Sequence, residues 1–281
     1  MTISASPIGV FDSGVGGLTV LRALRAVLPE RQFIYLGDMA RLPYGTKSPE
    51  SVARYSLQCA EALVARGIGC LVVACNTASA SALGALRANY AHIPVIGVIE
   101  PGAAAAVAAS RSGHVAVIGT EGTIGGGAYQ KALQRVSAHV RVTSQACSLF
   151  VAMAEEGWVE GPIVEAVARR YLDPIFSAVA APDTLVLGCT HFPVLAPAIR
   201  SILPSGVTIV DSAAAVAAVV WREAVAIRQA VAPRERADVR SESVRGAVRW
   251  LATDGAQRFA RVSGIFLGQA LHADEIEIID L

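Results

Sequence analysis

The chain has 281 residues, of which 53% are hydrophobic, a composition typical of a globular protein with a large core and not of a disordered chain. Its 24 Lys+Arg against 23 Asp+Glu give a formal net charge of +1, so it lacks the basic surplus that non-specific binding to nucleic acid or to an anionic membrane needs. We therefore expect a small-molecule ligand, and neither a nucleic acid nor a membrane as partner.

Short apolar runs alternate with stretches of helical periodicity along nearly the whole chain. The runs predict strands of sheets that are buried on both faces, at 8–11, 33–36, 70–74, 95–98, 115–118, 184–187, 207–210 and 264–267. The amphipathic stretches predict crossover helices, among them 18–28, 49–65, 79–87, 159–179 and 193–202. This alternation predicts an α/β fold with mainly parallel sheets flanked by helices.

Two motifs recur in the same order, which predicts two similar lobes. An apolar strand runs into a cysteine in LVVACNT (71–77) and again in LVLGCTH (185–191), so that Cys75 and Cys189 are 114 residues apart. Upstream of each motif an apolar strand opens into a glycine-rich turn, in IGVFDSGVGG (8–17) and in VAVIGTEGTIGG (115–126). We expect the boundary between the lobes near residue 99.

Three features predict where the protein resides. The most apolar run, at 213–221, is far shorter than the roughly 20 residues that cross a bilayer. The first six residues have no basic segment and lead straight into the first predicted strand, so we expect no signal peptide and a cytoplasmic protein. The five cysteines are an odd number in a chain too long to need disulfides, and we interpret them as reduced thiols.

Polar residues follow the predicted strands at their carboxyl ends, the edge at which parallel sheets bind ligands. If the lobes pack with these edges together, one cleft collects Asp12, Ser13, Cys75, Asn76, Thr77, Thr120, Glu121, Cys189, Thr190 and His191. Hydroxyls, amides and helix-start N–H groups recognise anions without lysine or arginine, so this cleft suits a ligand with two carboxylates. The GVGG turn at 14–17 lacks the third glycine of a dinucleotide fingerprint and the lysine of a Walker loop, so a nucleotide is not supported.

Two of the five cysteines are candidates for chemistry. Free cysteines usually behave as small buried hydrophobic residues, and we assign Cys59, Cys70 and Cys147 to that role. Cys75 and Cys189 differ because each ends a strand and is predicted to begin a helix, where free N–H groups lower the pKa of a thiol. Inversion of a carbon centre needs an acid and a base on opposite faces of the substrate, and two like residues from two like lobes meet that need.

Other chemistries remain open on these residues alone. A cysteine hydrolase would use one thiol with His191 and leave the other thiol idle. A non-catalytic protein would close its lobes on a dicarboxylate without exchanging a proton. Pyridoxal phosphate needs a lysine, and neither Lys47 nor Lys131 follows a strand in a way that resembles a cofactor pocket, so we expect no cofactor. We expect no metal either, since no two cysteines have C-x-x-C spacing.

Several blocks resemble those of the glutamate racemases, cofactor-independent enzymes that supply D-glutamate for peptidoglycan. In chain order they are FDSGVGGLTV (11–20), DMARLPYGTKS (38–48), ACNTAS (74–79), FVAMAEEGW (150–158), GCTHFP (188–193) and VDSA (210–213). The resemblance covers nearly the whole chain and implies a two-lobed homodimeric isomerase with its active site between the lobes. It implies that the C-terminal segment returns to the first lobe, giving 1–98 plus 207–281 and 99–206. Since few residues precede the first strand, we expect no N-terminal extension of the kind found in members activated by a cell-wall precursor.

The resemblance also implies roles for individual residues. Cys75 would act on the α-proton of the D-isomer and Cys189 on that of the L-isomer. Asp12 would assist Cys75, and His191 with Glu155 would support Cys189. Substrate contacts would come from Asp12, Ser13, Tyr44, Gly45, Asn76, Thr77, Thr120, Thr123, Thr190 and His191. An aspartate or broad-specificity racemase with the same chemistry is a close alternative, because one methylene is worth only about 1 to 3 kcal/mol in a pocket.

Overall fold

A computed structural model of the protein describes residues 6–230 and 246–281, and strands alternate with helices throughout this part of the chain. The strands are β1 (Ile8–Asp12), β2 (Phe33–Gly37), β3 (Cys70–Val73), β4 (Val95–Gly97), β5 (His114–Gly119), β6 (Arg141–Ala146), β7 (Thr184–Gly188), β8 (Thr208–Asp211), β9 (Val248–Ala252) and β10 (Ile276–Ile278). The helices are α1 (Leu18–Val27), α2 (Pro49–Val64), α3 (Asn76–Asn89), α4 (Ile99–Ala109), α5 (Glu121–Gly125), α6 (Ala128–Val136), α7 (Leu149–Glu155), α8 (Pro162–Phe176), α9 (Ala196–Ile202), α10 (Ser212–Ala230) and α11 (Ala256–Leu267).

The described strands form two sheets, and every strand pair is parallel. The first sheet has the order β10-β9-β2-β1-β3-β4, with Ile8 of β1 beside Phe33 of β2 and Cys70 of β3. The second has the order β6-β5-β7-β8, with Val115 of β5 beside Val142 of β6 and Thr184 of β7. The central strands are buried on both faces because helices cover both sides of each sheet.

The two sheets repeat one topology, which is the structural counterpart of the repeated motifs. The order β2-β1-β3-β4 in the first sheet matches β6-β5-β7-β8 in the second. Cys75 follows β3 and Cys189 follows β7, so the two cysteines occupy equivalent positions. The predicted α/β fold of two similar lobes with parallel sheets is confirmed.

Apolar packing is continuous between the lobes. Helix α10 packs against α1 on the first sheet and against α4 on the second. One cluster of buried side chains accordingly joins Val10 and Val72 of the first sheet to Leu187 of the second through Val216 and Val220 of α10. Among the described helices, none is both long and apolar enough to cross a membrane.

Three sequence-based predictions differ from the structure. Residues 264–267 are the last turn of α11 and not a strand, because Phe259, Val262 and Phe266 recur with helical spacing on its buried face. Strand β8 pairs with β7, so 207–211 belong to the second sheet and the return to the first lobe begins later. Strands β6, β9 and β10 were not predicted, and β6 carries the mixed polar sequence RVTSQA of an edge strand. The predicted first lobe also included 1–5 and 231–245, which lie outside the described residues.

Candidate active site

A cleft opens between the lobes, at the carboxyl ends of the strands. Because the strands of each sheet are parallel, the loops after β1, β3, β5 and β7 all meet at this edge. The cleft encloses about 320 Å³, including the solvent at its mouth. It is lined by Ser13, Pro43, Tyr44, Gly45, Cys75, Asn76, Thr77, Thr120, Val151, Cys189, Thr190 and His191.

Cys75 caps the N-terminus of α3. Its sulfur accepts a hydrogen bond from the amide of Ala78 at 3.4 Å, and its thiol donates to Ser13 Oγ at 3.6 Å. Burial, together with the carboxylate of Asp12, outweighs these hydrogen bonds and raises the pKa of Cys75 to about 12. The predicted lowering of this pKa by the helix N-terminus is therefore wrong for the free protein. Cys75 is held as a neutral thiol.

Cys189 has the same position after β7 but a different neighbour. A 3-10 turn (Phe192–Leu195) follows it and precedes α9, so the predicted helix begins at Ala196 and Cys189 does not cap it. Its sulfur lies 3.8 Å from Nδ1 of His191, and Nε2 of the same ring lies 3.0 Å from Oε1 of Glu155. Burial disfavours a charge on His191, but its contacts with Cys189 and Glu155 outweigh burial and raise the pKa of His191 to about 10. An imidazolium therefore stands beside the Cys189 sulfur at neutral pH.

Asp12 ends β1 and lies behind the wall of the cleft, fully buried. Its Oδ2 accepts the amide of Gly14 at 3.0 Å, and its Oδ1 accepts the hydroxyl of Thr190 from the other lobe at 3.4 Å. Burial raises the pKa of Asp12, although the charge of His191 and the hydrogen bonds act in the opposite direction. The Asp12 carboxyl group thus accepts hydrogen bonds from both lobes, one from Gly14 and one from Thr190, the residue after Cys189.

Three threonine hydroxyls meet where the lobes approach each other. Thr77 near the start of α3 lies 2.9 Å from Thr120 and 3.2 Å from Thr123, measured between Oγ1 atoms. Thr120 caps α5, and its hydroxyl lies 3.1 Å from that of Thr123. Hydroxyls at two helix N-termini form a site suited to a carboxylate without a basic side chain.

Asn76 adds a donor at the same edge. Its Oδ1 accepts the hydroxyl of Tyr129 at 2.8 Å, which fixes the orientation of the amide. Its Nδ2 is buried and has no hydrogen-bond partner among the described residues. A buried donor without an acceptor costs free energy, so the Asn76 amide is available to a ligand that supplies an oxygen.

Known proteins share this arrangement of sheets and loops. The Asp/Glu/Hydantoin racemase family model matches residues 18–220. The glutamate racemase of Geobacter metallireducens is 50% identical over 264 residues, which are 94% of this chain and 93% of that protein. The chain belongs to the Asp/Glu/hydantoin racemase family. It is an isomerase, and we group it with the glutamate racemases.

Solved structures agree with that assignment. The crystal structure of glutamate racemase from Francisella tularensis in complex with D-glutamate has a TM-score of 0.86 to this racemase, at 34% identity and with 98% of both chains covered. The aspartate racemase of Picrophilus torridus has a TM-score of 0.52 at 17% identity, covering 78% of this chain and 94% of that one, and shares the fold alone. Family membership decides against the cysteine hydrolase and the non-catalytic binding protein that the sequence left open.

The racemase holds Tyr44 and Gly45 in the cleft wall through a buried network. The hydroxyl of Tyr44 donates to Asp38, whose carboxylate also accepts from Arg41 at 2.7 Å and from Thr253 at 2.9 Å. Gly45 lies so close to Thr120 that an added Cβ would come within 2.6 Å of the threonine Cβ. The ring of Tyr44 therefore lines the cleft while its hydroxyl is engaged behind it.

Most of the predicted site residues come together at the cleft. Four do not line it. Asp12, Thr123 and Glu155 lie behind the lining, and Glu121, which was also expected in the cleft, is exposed at the start of α5. Cys59, Cys70 and Cys147 are free and buried, and none of them lines the cleft. Within the described residues, no group of three or more His, Cys, Asp or Glu side chains could hold a metal ion.

Six residues of the site were not predicted. Pro43 and Val151 line the cleft, and four others contact the predicted residues. Tyr129 orients Asn76, Asp38 holds Tyr44, and Arg258 donates to Glu155. Gly16 lies against His191, and an added Cβ would come within 2.4 Å of its Nδ1. Asp38 and Gly16 stand in the quoted blocks DMARLPYGTKS and FDSGVGGLTV, which were the only signals for them; Tyr129 and Arg258 depend on contacts between distant segments.

Proposed function

We propose that the protein interconverts L- and D-glutamate by a cofactor-independent two-base mechanism. The observation that carries the proposal is the pair of thiols, Cys75 and Cys189, which end equivalent strands of two similar sheets and line one cleft. A proton can then leave one face of the α-carbon and arrive on the other, which is what inversion requires.

The proton balance runs in a closed cycle. With D-glutamate bound, the thiolate of Cys75 takes the α-proton, and the thiol of Cys189 donates its proton to the opposite face of the resulting carbanion. L-glutamate leaves an enzyme whose Cys75 is a thiol and whose Cys189 is a thiolate. That form binds L-glutamate directly for the reverse reaction. Before D-glutamate is used again, the Cys75 thiol gives its proton to water and the Cys189 thiolate takes one from water, so that no proton is gained or lost overall.

Neighbouring residues are proposed to bias each half of the cycle. His191 supplies a positive charge 3.8 Å from the Cys189 sulfur, where it attracts a thiolate. Asp12 supplies a carboxyl group near Cys75 and disfavours the thiolate there, which suits Cys75 to donating a proton. Glu155 holds the far nitrogen of the His191 ring. His191 is thus proposed to favour the thiolate of Cys189, and Asp12 to favour the thiol of Cys75.

The substrate carboxylates are proposed to bind through neutral donors. Ser13, Asn76, Thr77, Thr120 and Thr190 line the cleft with hydroxyl and amide groups, and Thr123 adds a hydroxyl behind Thr77. Tyr44 and Gly45 form a further part of the cleft wall. Buried donors of this kind reject an analogue that leaves them unpaired.

The cellular setting is also part of the proposal. D-glutamate made in the cytoplasm would enter peptidoglycan synthesis and so support cell-wall formation and cell shape, and the protein would act as a homodimer. Growth of a bacterium that requires D-glutamate should be restored by expressing this chain and not by its Cys75→Ala variant. Sedimentation equilibrium should give twice the mass of one chain.

The test of the activity is incubation of the purified protein with L-glutamate in D₂O, without added cofactor. Optical rotation should decay to zero while deuterium enters the α-position. If both signals persist, glutamate is not the substrate. The same incubation with L-aspartate then separates an error of specificity from an error of reaction class.

A further inference from the structure

Helix α11 reaches the Cys189 half of the site from the opposite lobe. It covers the first sheet, where it packs against α1 and β10, and it also contacts α7, which carries Glu155. The ring of Phe266 on α11 meets the His191 ring edge to face, with 5.1 Å between ring centres and 76° between ring planes. Residues of the first lobe thus contact the imidazole that belongs to the second.

Arg258 on the same helix makes the second contact. Its Nη2 lies 2.7 Å from Oε2 of Glu155, while the other carboxylate oxygen of Glu155 lies 3.0 Å from Nε2 of His191. The Nδ1 atom of His191 is in turn 3.8 Å from the Cys189 sulfur. An unbroken series of polar contacts therefore runs from α11 to the thiol, and each oxygen of Glu155 has its own partner.

The exposure of these side chains indicates how Arg258 acts. Its side chain is 46% exposed, so water screens its charge, whereas the Glu155 side chain is only 13% exposed. The titratable groups that face His191 are Cys189 on its own loop, Asp12 of β1 and Glu155 of α7. Arg258 of α11 acts on His191 only through Glu155. The main effect of Arg258 is therefore to fix the direction of the Glu155 carboxylate.

We propose that Arg258 is a positioning residue for the Cys189 half of the reaction, acting across the lobe boundary by orienting Glu155 and thereby His191. The expected effect on catalysis rests on the proposed function. The orientation of Glu155 and His191 by Arg258 rests on the geometry alone. It follows that Cys189, His191 and Glu155 have their full set of contacts only when α11 packs against α7. The packing of the two lobes is thereby coupled to proton transfer at Cys189.

The test compares three single variants of the full chain. Arg258→Met removes the donor and keeps the length of the side chain, Arg258→Lys keeps a charged donor, and Arg261→Met is the matched control. Arg261 is exposed on the same helix, whereas the two oxygens of Glu155 bond to Arg258 and His191. For Arg258→Met we expect kcat for glutamate to fall by about tenfold to hundredfold with KM nearly unchanged, because misorientation affects proton transfer more than binding. The lysine variant should recover most of the loss.

Two further readouts separate positioning from a general loss of stability. In the Arg258→Met variant the acid limb of the kcat profile should move to higher pH, because the charge of Arg258 helps to keep the pKa of Glu155 low. In a Glu155→Gln background, Arg258→Met should have no further effect on kcat, because its route to His191 is already broken. Equal effects of Arg258→Met with and without Glu155→Gln would overturn the proposal.

An NMR titration of His191 tests the positioning role of Arg258 without any substrate. The ¹⁵N signals of His191, assigned with a His191→Asn variant, report its titration in the free protein. If Arg258 orients the Glu155 carboxylate, the pKa of His191 should fall in Arg258→Met and stay unchanged in Arg261→Met. A pKa that stays the same or rises would show that Arg258 does not position Glu155. Failure of wild-type protein to racemise glutamate would contradict the proposed function and leave this NMR result to decide the role of Arg258.

Discussion

Cys75 and Cys189 end equivalent strands of two sheets with one topology, yet their surroundings differ in charge. Cys75 faces a serine hydroxyl and a helix amide, with the Asp12 carboxyl group nearby, and its pKa is raised to about 12 by burial and by that carboxyl group. Cys189 faces the ring of His191, whose own pKa is raised to about 10 despite burial, by its contacts with Cys189 and Glu155.

The difference shows which part of the site is repeated and which is not. The repeated strand and the cysteine at its end place a sulfur at the same edge of each sheet. The charge beside each sulfur comes from residues that the repeat does not duplicate, namely Asp12 at the end of β1 and the His191–Glu155–Arg258 series. A symmetric fold thereby gives the two proposed acid–base thiols chemically different surroundings.

The largest expected effect comes from removing either thiol. Cys75→Ala and Cys189→Ala should each lower kcat for racemisation by at least about a thousandfold, because inversion needs a group on both faces and general acid–base catalysis is worth about 10² to 10⁴. Polarimetry in both directions measures the loss. Cys70→Ala, at a buried cysteine that begins β3 at the end opposite Cys75, is the matched control. If either the Cys75→Ala or the Cys189→Ala variant still racemised glutamate, the claim that both thiols are needed would be contradicted.

Removal of the imidazole should make the Cys189 half resemble the Cys75 half. We expect His191→Asn to lower kcat by about a hundredfold, since it takes away the cation beside one sulfur. Stopped-flow polarimetry with each enantiomer measures this loss, and an unchanged kcat would contradict the role of His191.

The same variant tests the raised pKa of His191 through stability. A raised folded-state pKa contributes stability that is fully present below the ordinary value of 6.5 and is lost as pH rises toward about 10. The difference in free energy of unfolding between wild type and His191→Asn should therefore shrink between those two pH values, as measured by urea titration. A difference that grows with pH would reverse the assigned sign.

A smaller effect is expected from crowding His191 from the first lobe. A Cβ at Gly16 would come within 2.4 Å of His191 Nδ1 and 2.5 Å of Thr190 Oγ1, so Gly16→Ala must displace the Cys189 loop. We expect a loss of about 1 to 3 kcal/mol in unfolding free energy and about a tenfold loss in kcat. Gly84→Ala, where a Cβ meets nothing within 4 Å, should show neither loss. If the two variants had the same unfolding free energy and the same kcat, the Cys189 loop would move to admit the added Cβ without cost.

The smallest expected effect lies in the wall beside Cys75. Tyr44→Phe removes the hydroxyl that donates to the buried Asp38 carboxylate, which then lacks one of its donors. We expect a loss of about 1 to 3 kcal/mol in unfolding free energy and only about a threefold change in KM, because that hydroxyl points away from the cleft. Urea titration and initial rates measure the two quantities. A loss of kcat larger than that of Gly16→Ala would contradict the ranking.

Sequence reasoning predicted the parts of the molecule that depend on local pattern. Buried apolar runs marked the central strands, and the repeated strand–cysteine motif marked both thiols. The short apolar run at 264–267 was misassigned because four apolar residues do not distinguish a buried strand from the last turn of a helix. Strand β6 was missed because half-exposed edge residues such as Thr143 and Gln145 leave no apolar run.

The remaining site features depend on contacts between distant segments. Glu155 and Arg258 are 103 residues apart in sequence, and Asn76 and Tyr129 are 53 apart, so no local pattern joins them. The raised pKa of Cys75 has the same origin, since it follows from burial and from Asp12 on another strand. The helix N-terminus, which is a local feature, predicted the opposite direction.

The measurement that tests the central claim most directly is the position of deuterium early in the reaction. Wild-type protein is incubated with L-glutamate in D₂O, quenched before a tenth of the substrate has reacted, and the separated enantiomers are analysed by mass spectrometry. Two thiols on opposite faces predict deuterium in the D-glutamate formed and protium in the L-glutamate recovered, and the mirror result from D-glutamate. Deuterium appearing at equal rates in recovered substrate and product would indicate a single base and would contradict the account.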